Sequence, residues 1–342
     1  MKITMLGTSG SGKTVYMSAM SELFFNGSVN GYTIANRENN YASTAFINKG
    51  FDEINSLYQN GRFPSGTSLS VVMPLELRFR GDHIIDIDWI DYRGGAIKEL
   101  AHGIDNSQNS EILAALIASD VVMVFVDAAV LKVCNNIITA RSRVGANEIS
   151  QLLSFVSRKK HLDIMFLLTK ADSSIIDIQK DLPSLKAKLE KVYSRLFSET
   201  DSDLSQFLVI PVGALGYGNV KTDYTWRTDD QGGRTLVFNN TVSDFEKMHT
   251  VNIASSFAYA LLKCLDSESK HLNTQASILA KKLETLKTNF GPVKNIIDIL
   301  FNNSERRGRI FDLERIILES REEIMRLRPH RALLEQIARS SQ

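Results

Sequence analysis

Gly7-Thr8-Ser9-Gly10-Ser11-Gly12-Lys13-Thr14 fits the pattern G-x-x-x-x-G-K-[ST] in full. Small residues at Gly7, Ser9, Gly10, Ser11 and Gly12 let backbone N–H groups turn inward around phosphate oxygens. Lys13 then reaches the β- and γ-phosphates, and the Thr14 hydroxyl is placed to ligate Mg²⁺. Three later stretches bear on which nucleotide this is. Asp91-Tyr92-Arg93-Gly94 ends an apolar strand. There Asp91 can hold Mg²⁺ through water, and the Gly94 N–H can approach a γ-phosphate because no side chain obstructs it. Thr169-Lys170-Ala171-Asp172 follows the apolar run DIMFLL. An Asp172 carboxylate there can accept two hydrogen bonds from guanine, N1–H and the 2-amine, a donor pair that adenine lacks. The Lys170 stem can lie across the base. Gly213-Ala214-Leu215 follows FLVIPV, where a small residue lets a backbone N–H meet guanine O6.

The elements that must position these groups are legible as a pattern. Residues 2–6 read as a short buried strand, and 15–25 as the helix whose N-terminus faces the anion. A polar stretch, 26–40, leads to a helix over 41–59. Strands over 69–79 and 83–90 are joined by the turn Arg80-Gly81-Asp82. Beyond them come a helix over 98–119, a strand over 121–126, helical sequence over 128–160 and a strand over 163–168. A helix over 185–197 and a strand over 207–212 follow. Strands separated by helices predict an α/β fold with a mostly parallel sheet covered on both faces. A hairpin over 222–238 is inserted before a helix over 242–265, which closes a domain of residues 1–265. From 266 the character changes. Leu272, Ala276, Leu279, Leu283, Leu286 and Phe290 form an apolar seam, broken by Gly291-Pro292, and a second seam runs over 310–337. The polar turn 302–308 is expected to fold the two into a C-terminal helical hairpin over 266–342. Packing on its own domain and offering a coiled-coil partner surface are equally open for it.

Composition excludes several classes. At 342 residues with 43% apolar and 23% charged residues, the chain is an ordinary globular one. Forty basic against thirty-nine acidic residues give no electrostatic case for nucleic acid or an anionic membrane. The longest apolar runs are too short for a transmembrane segment. Cys134 and Cys264 stand far apart and suggest neither a zinc site nor a disulfide framework. A cytoplasmic location is expected.

With these motifs in this order, residues 1–265 resemble the Ras-like, translation-factor-related P-loop GTPases. Thr169 in place of the usual Asn resembles Rho-type members. MLGTSGSGKTVYMSAM, DYRGG and the long spacing between them resemble bacterial GTPase-like proteins of conflict-associated operons, including the double-GTPase families, in which two such proteins are encoded together. The resemblance implies GTP/GDP and Mg²⁺ as ligands, a nucleotide-dependent switch, and a role in bacterial defence. It also implies a protein partner, such as a second GTPase, met at the switches, the insertion of residues 26–62 or the C-terminal helices. It calls for a switch threonine that binds Mg²⁺ and senses the γ-phosphate; Thr67, ahead of the strand at 69, is the candidate. One departure limits the claim. Gly95 stands where such proteins often carry the water-orienting Gln, so intrinsic hydrolysis is expected to be slow. Arg93, Arg62 or a partner's arginine could stabilise transition-state charge; a partner's arginine finger can be worth ~10³–10⁵ in rate. Two rivals stay open: a P-loop ATPase, and a nucleotide-binding scaffold with little hydrolysis.

Overall fold

The computed structural model describes residues 1–37, 41–61, 63, 71–92, 107–160, 162–228, 234–244, 246, 249–288 and 296–339. Its centre is β5 (Val121–Asp127), a seven-residue run buried at every position. Such a run is stable only with a strand on each side and helices over both faces. The partners are β1 (Lys2–Leu6) and β6 (Asp163–Thr169), both parallel to it, and β6 pairs onward with β7 (Leu208–Pro211). On the other side β1 pairs in parallel with β4 (Asp82–Asp91), which pairs antiparallel with β3 (Val71–Phe79). With β2 (Tyr32–Asn36) antiparallel to β3 at the edge, seven of the described strands form one mostly parallel sheet in the order β2-β3-β4-β1-β5-β6-β7.

The helices in order are α1 (Lys13–Ser21), α2 (Tyr41–Asn60), α3 (Ser107–Ala118), α4 (Ala128–Val133), α5 (Ile137–Arg143), α6 (Ala146–Ser157), α7 (Ile178–Val192), α8 (Ser194–Thr200), α9 (Ile253–Thr288) and α10 (Ile296–Arg339). Two compact units result: Met1–Ala260 with Ile337–Gln342, and Leu261–Gln336. In the first, Phe257 of α9 packs its ring 4.9 Å from Trp89 and 5.0 Å from Phe24. In the second, the seam residues Ala276, Ile317, Leu327 and Leu334 are buried, and Arg331 Nε donates to Asp266 Oδ1 at 2.6 Å. No helix among the described residues is long and apolar enough to cross a membrane.

Several elements differ from expectation. Within the supposed polar stretch, Tyr32–Asn36 forms β2, antiparallel to β3, with Tyr32 and Ile34 buried. Five alternating residues between turns are too short to stand out as a strand. The first helix ends at Ser21 and runs into one wider turn, Glu22–Asn26. Asp177 caps α7 and starts it ahead of Pro183, which the helix accommodates; a second helix, α8, follows at once. Residues 234–242 are strand β9 (Arg234–Val242), antiparallel to β8 (Val220–Thr228), so the helix expected from 242 begins at Ile253. It then passes 265 without a break, because Asp266-Ser267-Glu268-Ser269-Lys270 is polar yet helix-competent. The turn predicted at 302–308 is helical within α10: one glycine costs only about 1 kcal/mol, and Glu305, Arg306 and Arg307 are good helix formers. Gly291-Pro292 lies outside the described residues.

Candidate nucleotide-binding site

Ile3, Met5 and Leu6 of β1 are fully buried, which drives the strand into the sheet and fixes where the next residues emerge. The loop closes so tightly that a Cβ on Gly7 would lie 2.5 Å from Ser11 Oγ and 2.9 Å from Phe125 O. Gly12 takes φ +90°, a left-handed conformation that glycine adopts without a Cβ penalty. Ser9 and Gly10 form the exposed tip. Lys13 Nζ donates to Gly7 O at 2.7 Å and Thr8 O at 3.2 Å, folding the side chain back over the loop. Burial lowers the Lys13 pKa, and the charge of Asp91 pulls it back up. Asp91 is fully buried at the end of β4, in register with Met5 of β1. The sheet therefore brings Lys13, Thr14 and Asp91 to one end of β1. Thr14 and Asp91 offer hard oxygen donors of the kind Mg²⁺ takes, so the donor set fits that ion. Arg62, Thr67, Arg93, Gly94 and Gly95 lie outside the described residues.

The base-side motif is stapled to this loop. Thr169 Oγ1 donates to Ser11 O at 2.7 Å, with Val126 O sharing the hydrogen at 3.2 Å. Lys170 holds φ +59°, a region that costs a non-glycine residue about 1–2 kcal/mol. Its ammonium offsets this by pairing with Asp127, which also caps α4 by accepting from Val130 N at 3.1 Å. Asp172 is buried, and its Oδ2 accepts from Ala214 N at 2.9 Å and Leu215 N at 3.0 Å. Burial raises the Asp172 pKa, while these two N–H groups oppose the shift. A Cβ on Gly213 would fall 2.8 Å from Asp172 Cγ, so only glycine allows this approach. Where Gly12 of the loop meets the base motif lies a cavity of about 570 Å³, the open solvent at its mouth included. Gly12, Lys170, Asp172, Gly213 and Ala214 all line it.

Against this geometry, the Double-GTPase 2 family matches residues 2–209. The chain belongs to that family. No curated protein matches it. As a Double-GTPase 2 member it is a P-loop GTPase by descent, with a guanine nucleotide as the ligand its family implies. The match spans the phosphate loop, Asp91 and Thr169–Asp172, and stops ahead of Gly213 and the β8–β9 hairpin.

Several contacts of this double-GTPase escaped sequence reasoning. Asp127, the partner of Lys170, reads only as a strand end, although its cap position is a recoverable signal. Tyr58 of α2 donates its hydroxyl to Ala214 O at 3.2 Å, so the inserted helix reaches the base loop. Phe63, Thr222 and Asn240 also line the cavity. Away from it, Glu76, His83 and Asp86 cluster on the β3–β4 hairpin. Their charge is already balanced: Arg78 pairs with Glu76, and Arg37 with Asp86 and Asp88.

Proposed function

We propose that this chain binds GTP with Mg²⁺, hydrolyses it to GDP and phosphate, and works as a nucleotide-dependent switch. The observation that carries the reading is the cavity lined by Gly12 of the phosphate loop together with Asp172 and Gly213-Ala214. In this reading the loop N–H groups and Lys13 hold and neutralise the phosphates, while Asp172 reads the guanine edge. Thr14, Asp91 and Thr67 hold Mg²⁺, which supplies further positive charge to the phosphate oxygens when bound. Thr67 and Gly94 sense the γ-phosphate, and Arg93 or a partner's arginine stabilises charge on the transferring group. No covalent intermediate is required; positioning and electrostatics suffice. With Gly95 in the usual glutamine position, the basal rate is low and a protein partner raises it. The family's name and the operon resemblance support a second GTPase as that partner, a defence role and a cytoplasmic setting.

Affinity for GTP and ATP, and phosphate release with Mg²⁺ or with a chelator, test the reading. The expected result is GTP bound at least about 100-fold more tightly than ATP, and release that stops when Mg²⁺ is removed. Equal affinity for ATP overturns the guanine reading. Tight GTP binding with no release, alone or with a co-encoded GTPase, replaces the switch enzyme by the scaffold that Gly95 favours.

A further inference from the structure

The β8–β9 hairpin lies beyond the family match, and nothing so far gives it a role. It is docked by backbone bonds directly onto the base motif. Ser174 N donates to Val220 O at 2.6 Å, Val220 N to Asp172 O at 3.0 Å, and Thr222 N to Ser174 Oγ at 3.1 Å. The Phe238 ring lies 5.7 Å from Lys170 Nζ. The hairpin is thereby a fixed wall of the cavity, to which it contributes Val220, Thr222 and Asn240.

A chain of hydroxyls orients the amide on that wall. Ser173 Oγ donates to Thr222 Oγ1 at 2.7 Å, and the one Thr222 hydroxyl hydrogen goes to Asn240 Oδ1 at 2.9 Å in preference to Val220 O at 3.4 Å. Thr222 and Ser173 are buried, and Asn240 is half-buried. With Oδ1 committed as an acceptor, Asn240 Nδ2 carries two hydrogens and makes no hydrogen bond among the described residues. In the base loop the backbone donors are spoken for, since Ala214 N and Leu215 N both donate to Asp172 Oδ2. The donor expected to meet guanine O6 is thus engaged elsewhere, and a side-chain donor lines the same space.

We infer that Asn240 is a base-specificity residue, donating through Nδ2 to the 6-oxo group of guanine. The inference rests on the guanine reading of this cavity. A donor at that position favours 6-oxo purines over 6-amino purines, which present hydrogens there instead. Asn240 acts on the same base as Asp172 but on a different group: Asp172 senses N1–H and the 2-amine.

Binding of GDP, inosine diphosphate, 2-aminopurine riboside diphosphate and ADP to the full chain separates these roles. Inosine keeps the 6-oxo group without the 2-amine, and 2-aminopurine the reverse. Asn240→Ala should weaken GDP and inosine diphosphate by the same factor, about tenfold, while the 2-aminopurine nucleotide changes less than twofold. Asn240→Asp, nearly isosteric and still able to accept from Thr222, guards against a merely structural loss. It should lower the GDP/ADP affinity ratio by about 100-fold, because an acceptor then faces the 6-oxo group and suits a 6-amine. Equal losses for all nucleotides, or unchanged ratios in both variants, overturn the inference. If wild type prefers GDP and Asp172→Ala removes that preference while both Asn240 variants retain it, this inference alone fails. If wild type shows no preference for GDP over ADP, the guanine reading falls with it.

Discussion

Lys13→Ala should lower GTP affinity by at least about 100-fold and bring phosphate release to background, the effect of deleting a charge-assisted phosphate contact in a buried site. The reasoning is electrostatic. Lys13 is 5% exposed, its pKa is lowered by burial, and Asp91 is the charge that pulls it back up. Alanine removes the cation that meets phosphate and also leaves fully buried Asp91 with less compensation. A loss of thermal stability should accompany the binding loss, because fully buried Asp91 loses a positive charge from its surroundings. Titration with a fluorescent GTP analogue and thermal unfolding check the two parts separately. A variant that binds GTP within threefold of wild type would show that the loop is not the phosphate site.

Asp172→Ala should reduce GDP affinity by about 10²–10³ and erase discrimination against ADP, since a site built to accept hydrogen bonds loses its acceptor. Part of that loss belongs to the loop rather than the ligand. Ala214 N and Leu215 N, at 2.9 and 3.0 Å from Oδ2, would each be left without an acceptor, at about 1–3 kcal/mol apiece. Asp172→Asn separates the two contributions. The amide oxygen keeps both loop N–H groups, while the amide nitrogen turns donors toward the base. The guanine 2-amine then meets a donor, whereas the carbonyl that xanthine carries at position 2 meets its complement. The expected result is a preference for xanthosine diphosphate over GDP, read by competition. Retained GDP preference in Asp172→Asn would count against Asp172 as the base reader.

The contrast between Asp172 and Asn240 shows what a sequence can carry. The phosphate loop is local: eight residues between a buried strand and a helix constrain one another through backbone conformation, and the pattern is readable without the rest of the chain. Asp172 is readable because it follows an apolar strand at fixed spacing. Asn240 has no such marker. Its orientation depends on Thr222 across the hairpin and on Ser173 from another element, and no spacing rule encodes that docking. The engagement of Ala214 N by Asp172 was hidden for the same reason. Helix limits failed where one physical signal was taken for another. The change at 266 from a core-facing helix to an apolar seam marks a change of surroundings, and the backbone of α9 runs straight through it. At 302–308 polarity suggested a turn; Asn302, Asn303 and Gly308 disfavour a helix, but Glu305, Arg306 and Arg307 favour one and the summed cost is small.

The burial of Asp172 has a consequence for linkage. A carboxyl group whose pKa is raised by burial binds a proton more readily than an exposed aspartate does. Guanine needs the ionised form, because only a carboxylate accepts both of its hydrogens. Bound guanine donors stabilise the anion and lower its pKa, so nucleotide and proton compete for one side chain. Affinity is then complete above the pKa of the free protein and declines as pH falls through it, with one proton taken up for each nucleotide released. The desolvation that makes this pocket selective also couples its occupancy to acidity.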